Sequence, residues 1–321
     1  MKKIAMAVLA AVTCASPLLA TAQNYPTKPI TLIVPWPPGG NADNVGRFVG
    51  RSLAKELGQP VVINNVPGSA GNIGTQQFVR ARADGYTLLL ASSSTNAANP
   101  NLYPNTGFHP INDFAPIGRI SSTPSLLLVP AGSRWKTMDE LVKAARSEPG
   151  KLTFGSGGNG QSGHLAGELF KYTAKVDVLH VPFKGGAPAK MALMAGTIDF
   201  MFETGAVPDV KGGKVRALAV TSEKRLTYLP EVPTTAEVGY KDLRISTWLG
   251  IAAPAGTPPE IVARINAALN ASLKTPELRQ SIEQIGGLPG DGVTPEEFSR
   301  FWASEIARYG ELIKLSGAKL D

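Results

Sequence analysis

Twice in this chain an apolar run turns through glycines and prolines into a helix-like segment. The first turn is Pro35-Trp36-Pro37-Pro38-Gly39-Gly40-Asn41-Ala42-Asp43, after Ile30–Val34. The second is Gly155-Ser156-Gly157-Gly158-Asn159-Gly160-Gln161-Ser162-Gly163-His164, after Leu152–Phe154. A strand that bends tightly into a helix leaves the first helical N–H groups without partners, at the positive end of the helix dipole. Each turn is therefore a cradle for negative charge.

Alternation around the cradles sets the fold class. Ile30–Trp36, Val61–Val66 and Tyr86–Ala91 read as buried strands, with helices at Asp43–Leu57 and from Gly74 to about Ala83 between them. Val45, Phe48, Val49 and Leu53 carry the helical period of the first, and Gly58 stops it. This β-α-β-α-β order implies a parallel sheet with right-handed crossovers. Two strands, Phe114–Ile120 and Ser125–Val129, meet at Ser121-Ser122-Thr123-Pro124, where the chain is expected to pass into a second lobe. Helices at Thr137–Ser147, Ser162–Thr173 and Ala187–Ala195 then alternate with strands at Leu152–Phe154, Val176–Phe183, Ile198–Phe202 and Val215–Thr221. Ile245–Ala252 reads as the returning strand. Thr257-Pro258, Thr275-Pro276 and Thr294-Pro295 each place a capping threonine before a first-turn proline, so the remainder is helical. Thr137 with Glu140, and Thr294 with Glu297, have capping-box spacing. The expected division is residues 1–22 as a signal peptide, 23–124 with 246–321 as lobe 1, and 125–245 as lobe 2.

Composition removes several function classes. Lys2 and Lys3 precede a mostly apolar stretch to Leu19, and Ala20-Thr21-Ala22 has small-x-small cleavage spacing, so export with cleavage after Ala22 is expected. Pro17 interrupts a run already too short for a membrane span. The single cysteine, Cys14, lies in that leader, so the mature chain has no disulfide, thiolate nucleophile or cysteine metal ligand. Loss of Lys2 and Lys3 lowers the formal charge of +7 by two. The remaining mild basicity suits an anionic small molecule. No basic run supports nucleic-acid binding.

Gly155-Ser156-Gly157-Gly158-Asn159-Gly160 also fits G-x-G-x-x-G, the dinucleotide fingerprint. It sits mid-chain, however, and Asp177, the acid at about the right distance, precedes its strand instead of ending it. Gly160-Gln161-Ser162-Gly163-His164 has its second glycine one place too early for a nucleophile elbow. An exported serine hydrolase stays open as a rival, with only His109, His164 and His180 as bases. His164 and Glu168, four apart, have the spacing of a metal pair or, more ordinarily, of a helix-surface contact; alternatively His164 faces the cradle. Ser92, Ser93 and Thr95 lie past the carboxyl end of a strand, where open α/β sheets bind ligands, or else cap the next helix. Trp36 is a candidate pocket wall or a core residue. Lys184, beside Gly185 at a strand end, is placed to pair with a carboxylate, unless it is simply solvated. Phe202-Glu203 ends the next strand. An acid there is unfavourable for an anion unless it meets an amino group or a water network.

In this order the segments resemble the receptors of tripartite tricarboxylate transporters, the Bug family. The marks are Val34-Pro35-Trp36-Pro37-Pro38-Gly39-Gly40, Pro67-Gly68-Ser69-Ala70-Gly71-Asn72-Ile73-Gly74, Gly163-His164-Leu165-Ala166-Gly167-Glu168-Leu169-Phe170, Val181-Pro182-Phe183-Lys184-Gly185-Gly186-Ala187-Pro188 and Gly250-Ile251-Ala252-Ala253-Pro254. The resemblance implies an α/β, type II periplasmic-binding-protein fold, two α/β lobes joined by two crossing strands. It also implies a periplasmic receptor for a small mono- or dicarboxylate or an aromatic acid, delivering it to a membrane transporter, or a sensor with the same pocket and a signalling partner. A monomer without metal or other cofactor is expected. The positions carried over are the loop from Pro38 to Asp43, the cluster from Ser92 to Thr95, and the turn from Ser156 through Gly157, Gly160, Gln161 and Ser162 to His164. Many relatives have smaller residues where Trp36 and Pro37 stand, so the pocket wall differs here.

Overall fold

The computed structural model describes residues 25–317. The expected leader lies outside them. The chain runs β1 (Ile30–Val34), α1 (Asn41–Leu57), β2 (Val61–Asn65), α2 (Asn72–Val79) and β3 (Thr87–Ser92). β1 pairs in parallel with β2, Ile30 opposite Val61, and with β3, Thr31 opposite Thr87. Ile30, Leu32, Val34 and Leu88–Leu90 are fully buried, as strands covered on both faces must be. α1 turns Val45, Val49, Leu53 and Leu57 onto the sheet. Gly46 and Gly50 let it lie close: a Cβ on either would stand 3.1 Å from Val34 or Ile63. α2 stops at Val79, short of Ala83, because Ala81 N–H closes a turn on Phe78 O at 2.9 Å.

After α3 (Asn99–Leu102), β4 spans Phe114–Pro124 as one strand, without the expected break at Ser121. Its polar end is held by partners distant in sequence: Ser122 faces Trp248, and Thr123 faces Thr247. β5 (Leu126–Pro130), α4 (Met138–Ser147), β6 (Thr153–Ser156), α5 (Ser162–Ala174), β7 (Leu179–Pro182), α6 (Gly186–Met194), β8 (Phe200–Glu203), α7 (Val207–Lys211) and β9 (Val215–Val220) follow. They build a second sheet in the order β7-β6-β8-β5-β9. β10 (Ser246–Pro254) returns to the first sheet, then come α8 (Pro259–Lys274), α9 (Pro276–Gln284), β11 (Leu288–Pro289) and α10 (Pro295–Ser316). The first sheet is ordered β11-β4-β10-β3-β1-β2, with β10 antiparallel to β3 and β4. The expected capping boxes at Thr137 and Thr294 form, and Thr275 caps α9. Thr257 does not cap α8. Its hydroxyl donates back to Pro254 O at 2.7 Å, and Pro258 takes the cap position.

The two sheets exchange chain at two neighbouring points, β4 to β5 and the approach to β10. Thr221 clasps them. Its Oγ1 accepts the Ser125 N–H at 2.9 Å and donates to Ile245 O at 2.5 Å, and its N–H donates to Ser125 O at 3.0 Å. α10 straddles the junction. Phe298 and Trp302 pack on Trp248 of β10, ring centroids 5.7 and 5.4 Å away, while the same helix rests on α5 of the second sheet. One apolar cluster consequently runs from Ile33 and Phe114 through Trp302 to Phe154, Phe170 and Phe202.

Candidate functional site

A cleft of about 850 Å³ opens where loops from both sheets meet. Trp36, Pro37, Pro38, Gly40, Asn41 and Ala42 reach it from the β1–α1 turn, and Ser92, Ser93 and Ser94 from the end of β3. Asn159, Gly160, Gln161 and Ser162 come from the β6–α5 turn, Gly186 from the start of α6, and Thr204 from the end of β8. Thr247, Trp248 and Leu249 of β10, with Leu102, Tyr103 and Tyr309, complete most of the wall. Among the described residues, no charged side chain lines it.

Helix caps explain how an uncharged wall attracts an anion. α4, α9 and α10 each have a threonine hydroxyl on their first N–H groups. α1, α5 and α6 begin at Gly40, Gln161 and Gly185 with no side-chain cap. α2, α3, α7 and α8 also lack a side-chain cap, and the short α3 starts on the wall at Ala98 and Asn99. Of the six helices above, α1, α5 and α6 are the ones that start at the cleft. Their free N–H groups and dipoles converge there, so the cleft has donors without a counter-ion.

Of the residues the sequence singles out, Trp36, Pro38, Gly40, Ser92, Ser93, Gly160, Gln161 and Ser162 stand on the wall. The others are set behind it, for local reasons. Gly39 takes φ +86° and donates its N–H to Asp43 Oδ2 at 2.9 Å. Asp43 is buried and also accepts from Arg47 at 2.9 Å and from Asn65 at 2.9 Å. The Arg47 hydrogen bond leads in holding its carboxyl down to about 2. Asp43 thus ties the loop together. Thr95 is fully buried and donates to Asn96 Oδ1 at 2.6 Å. Gly157 lies against the start of α6, where a Cβ would be 2.9 Å from the Gly186 N. Gly185 donates its N–H to Gly157 O at 3.0 Å, joining the two turns. Lys184 is exposed, away from the cleft wall. Phe202 is core. Glu203 sits just behind Gly186 and accepts the Thr204 N–H at 3.1 Å.

Ser156 and His164 belong to a buried chain under the second turn. Ser156 Oγ and His180 Nε2 share a hydrogen bond of 2.7 Å. The His180 ring stacks on His164 with centroids 4.0 Å apart. His164 Nδ1 accepts the Gly160 N–H at 3.0 Å. Burial is the main cause that pushes His180 down to about 4 and holds His164 below its ordinary value. Both rings are neutral at neutral pH. Ser156 is fully buried and also accepts the Gly158 N–H at 3.1 Å. This serine–histidine pair is a brace for the turn, and its hydroxyl does not reach the cleft.

Sequence reading missed Ala98, Asn99, Leu102, Tyr103, Thr204, Thr247, Trp248, Leu249 and Tyr309. Trp248 sits in the anticipated return strand, but its place on the wall depends on the β10–β4 register. Tyr309 reaches the cleft only because α10 packs across the junction, where burial pushes its phenol up to about 12. No local pattern encodes that.

Two α/β lobes, joined by two crossing strands and facing each other across a cleft lined by helix starts, define a two-lobed binding protein. The chain belongs to the tripartite tricarboxylate transporter family receptor group, whose family model matches residues 45–318. Among the solved structures it resembles are the following three. The periplasmic binding protein BugD shares 33% identity at TM-score 0.76, over 92% of this chain and 99% of that one. A Rhodopseudomonas palustris protein solved with adipate shares 34% identity at TM-score 0.80, over 92% of this chain and 100% of the other. MatC of Rhodopseudomonas palustris, with bound malate, shares 31% at TM-score 0.75, over 90% of this chain and 100% of that one. Among the described residues no helix is long and apolar enough to cross a membrane.

Proposed function

We propose that the cleft captures a small organic acid in the periplasm and presents it to the membrane subunits of a tripartite tricarboxylate transporter. The observation that carries this reading is the convergence of three uncapped helix starts on a cleft without charged walls. Such a site binds a carboxylate through backbone N–H groups, with little cost for desolvating a cation. That solved relatives hold adipate and malate fits the same chemistry. Binding by one lobe followed by closure of the other supplies the differential affinity that a transporter can read. Trp36, Pro38, Gly40, Ser92, Ser93, Gly160, Gln161 and Ser162 are the contact residues in this proposal. The protein acts as a monomer, after removal of its first 22 residues, and performs no covalent chemistry. The placement of Ser156 supports the last point.

The test is mass spectrometry of small molecules released on denaturing the purified protein, followed by calorimetry with the acids found. A ligand at about a hundred times its Kd should stabilise the fold by roughly 2.7 kcal/mol. Absence of any bound or binding organic acid, together with turnover of an ester or amide, would refute the receptor reading in favour of a hydrolase.

A further inference from the structure

The helices α1, α5 and α6 begin at the cleft, and their starts do not carry equal charge. The first turn of α1 contains Asp43, but Arg47 pairs with it at 2.9 Å, and Gly39 and Asn65 use its remaining acceptor capacity. The first turn of α5 contains His164, which is neutral. The start of α6 is different. A Cβ built on Gly186 would stand 2.8 Å from Glu203 Oε2, so this carboxyl lies directly against the helix start. Lys190, whose charge acts on it, is bonded to Asp209 at 2.5 Å. Gly186 and Thr204, on either side of Glu203, are both wall residues. The start of α6 therefore lies against a carboxyl, whereas the acid in the first turn of α1 is neutralised by Arg47 and α5 has no acid in its first turn.

A second carboxylate arriving at α6 would meet a carboxyl group of the same sign in a half-buried site, where like charges repel strongly. A neutral N–H or O–H group arriving at Gly186 and Thr204 would bring no like charge up to the carboxyl behind them. Burial, which pushes the Glu203 carboxyl above its usual range, shows how little water screens it.

We propose that this cleft selects an acid with a single carboxylate, seated between α1 and α5, and a neutral hydrogen-bond donor such as an amide or hydroxyl at its other end, with Glu203 as the residue that excludes a second carboxylate. The proposal rests on the receptor reading above and narrows its ligand class.

The experiment is calorimetry at pH 7.5 on the mature protein, stripped of retained solute by unfolding and refolding. The probes are succinate, glutarate, adipate and terephthalate, each beside its own monoamide. In every pair that binds, the monoamide is expected to bind at least tenfold more tightly than the diacid. Glu203→Gln should shrink that ratio at least fivefold, chiefly by tightening the diacid. Glu203→Asp, which keeps the charge, should retain the preference and serves if the glutamine variant does not fold. Diacids that bind as tightly as their monoamides to the wild type, or a ratio unchanged in folded Glu203→Gln, would overturn the proposal while leaving the receptor reading intact. Failure of every acid and monoamide to bind would remove both.

Discussion

Acid should weaken this protein well above the range where carboxylates titrate, because the stack of buried His164 on half-buried His180 is held as neutral rings. His180 falls from 6.5 to about 4 on folding. A histidine with a depressed folded value binds fewer protons folded than unfolded between those two points, so stability rises with pH across the window. The contribution is fully present above 6.5 and lost as pH falls toward 4. At ~1.36 kcal/mol per unit the full shift sets an upper bound of about 3 kcal/mol; His180 is only about half-buried, so solvent screening cuts this to roughly 1 kcal/mol, most of it lost between pH 7 and pH 5. For a chain of this size that lowers Tm by roughly 2 °C. His164, also depressed, adds in the same direction. Asp43, held at about 2, loses its contribution only below 3.8, and Glu237, held low by hydrogen bonds from Thr234 and Arg225, only below 4.5. Glu203 has the opposite sign: its raised carboxyl favours folding as pH falls. The measurement is therefore urea unfolding at pH 7, 6, 5.5 and 5, in wild type and His180→Gln, both in a Glu203→Gln background. Glutamine keeps a donor for Ser156 and cannot titrate. The variant should lose roughly 1 kcal/mol of the pH dependence, keeping only what His164 contributes. Equal slopes in the two proteins would show that the stack does not titrate as its burial requires. The same protonation reaches the cleft, because a protonated His164 Nδ1 cannot accept the Gly160 N–H.

Other consequences are equally specific. Thr221→Val keeps the shape of the clasp but strands the buried Ser125 N–H and Ile245 O, which should cost about 2 to 4 kcal/mol in urea unfolding; a loss under 0.5 kcal/mol would be inconsistent with the clasp. Gly160 has φ +74°, and a Cβ there would stand 2.9 Å from Leu102 Cδ1 across the cleft. Gly160→Val should therefore lower affinity for the bound acid at least tenfold by calorimetry, and Leu102→Ala should restore part of it; no rescue would mean that backbone strain alone is responsible. Asp43→Ala leaves the Gly39 N–H and the Asn65 amide without their acceptor. It should destabilise by roughly 2 kcal/mol and loosen the first turn, read as faster amide exchange at Gly39 in the variant than in wild type.

What the sequence made legible was whatever a few adjacent residues decide. Glycines between an apolar strand and an amphipathic helix locate the start of α1 and of α5, and threonine–proline pairs locate the starts of α9 and α10, without knowledge of the rest of the chain. A mistake arose where a second partner competes for the same group, as when Thr257 turned back to Pro254 instead of forward to α8. The candidate site was legible only along the turns. Asp43, Ser156 and His164 are in those turns too, yet their side chains are spent on holding the turn: Asp43 on Gly39, His164 on Gly160, Ser156 on Gly158. A cradle made of backbone needs side chains that fix its shape from behind, and these are the polar, chemistry-bearing types that a search for a site selects first. The wall itself is left to prolines, serines, alanines and aromatic rings, several of them delivered by β10 and α10 from the far end of the chain. In a receptor of this kind, polar residues in the glycine turn are therefore better read as supports, and the contact set as the small and apolar residues beside them. Glu203 is the exception in this proposal: it lies behind Gly186, its cation Lys190 is bonded to Asp209, and its charge bears on which groups α6 accepts.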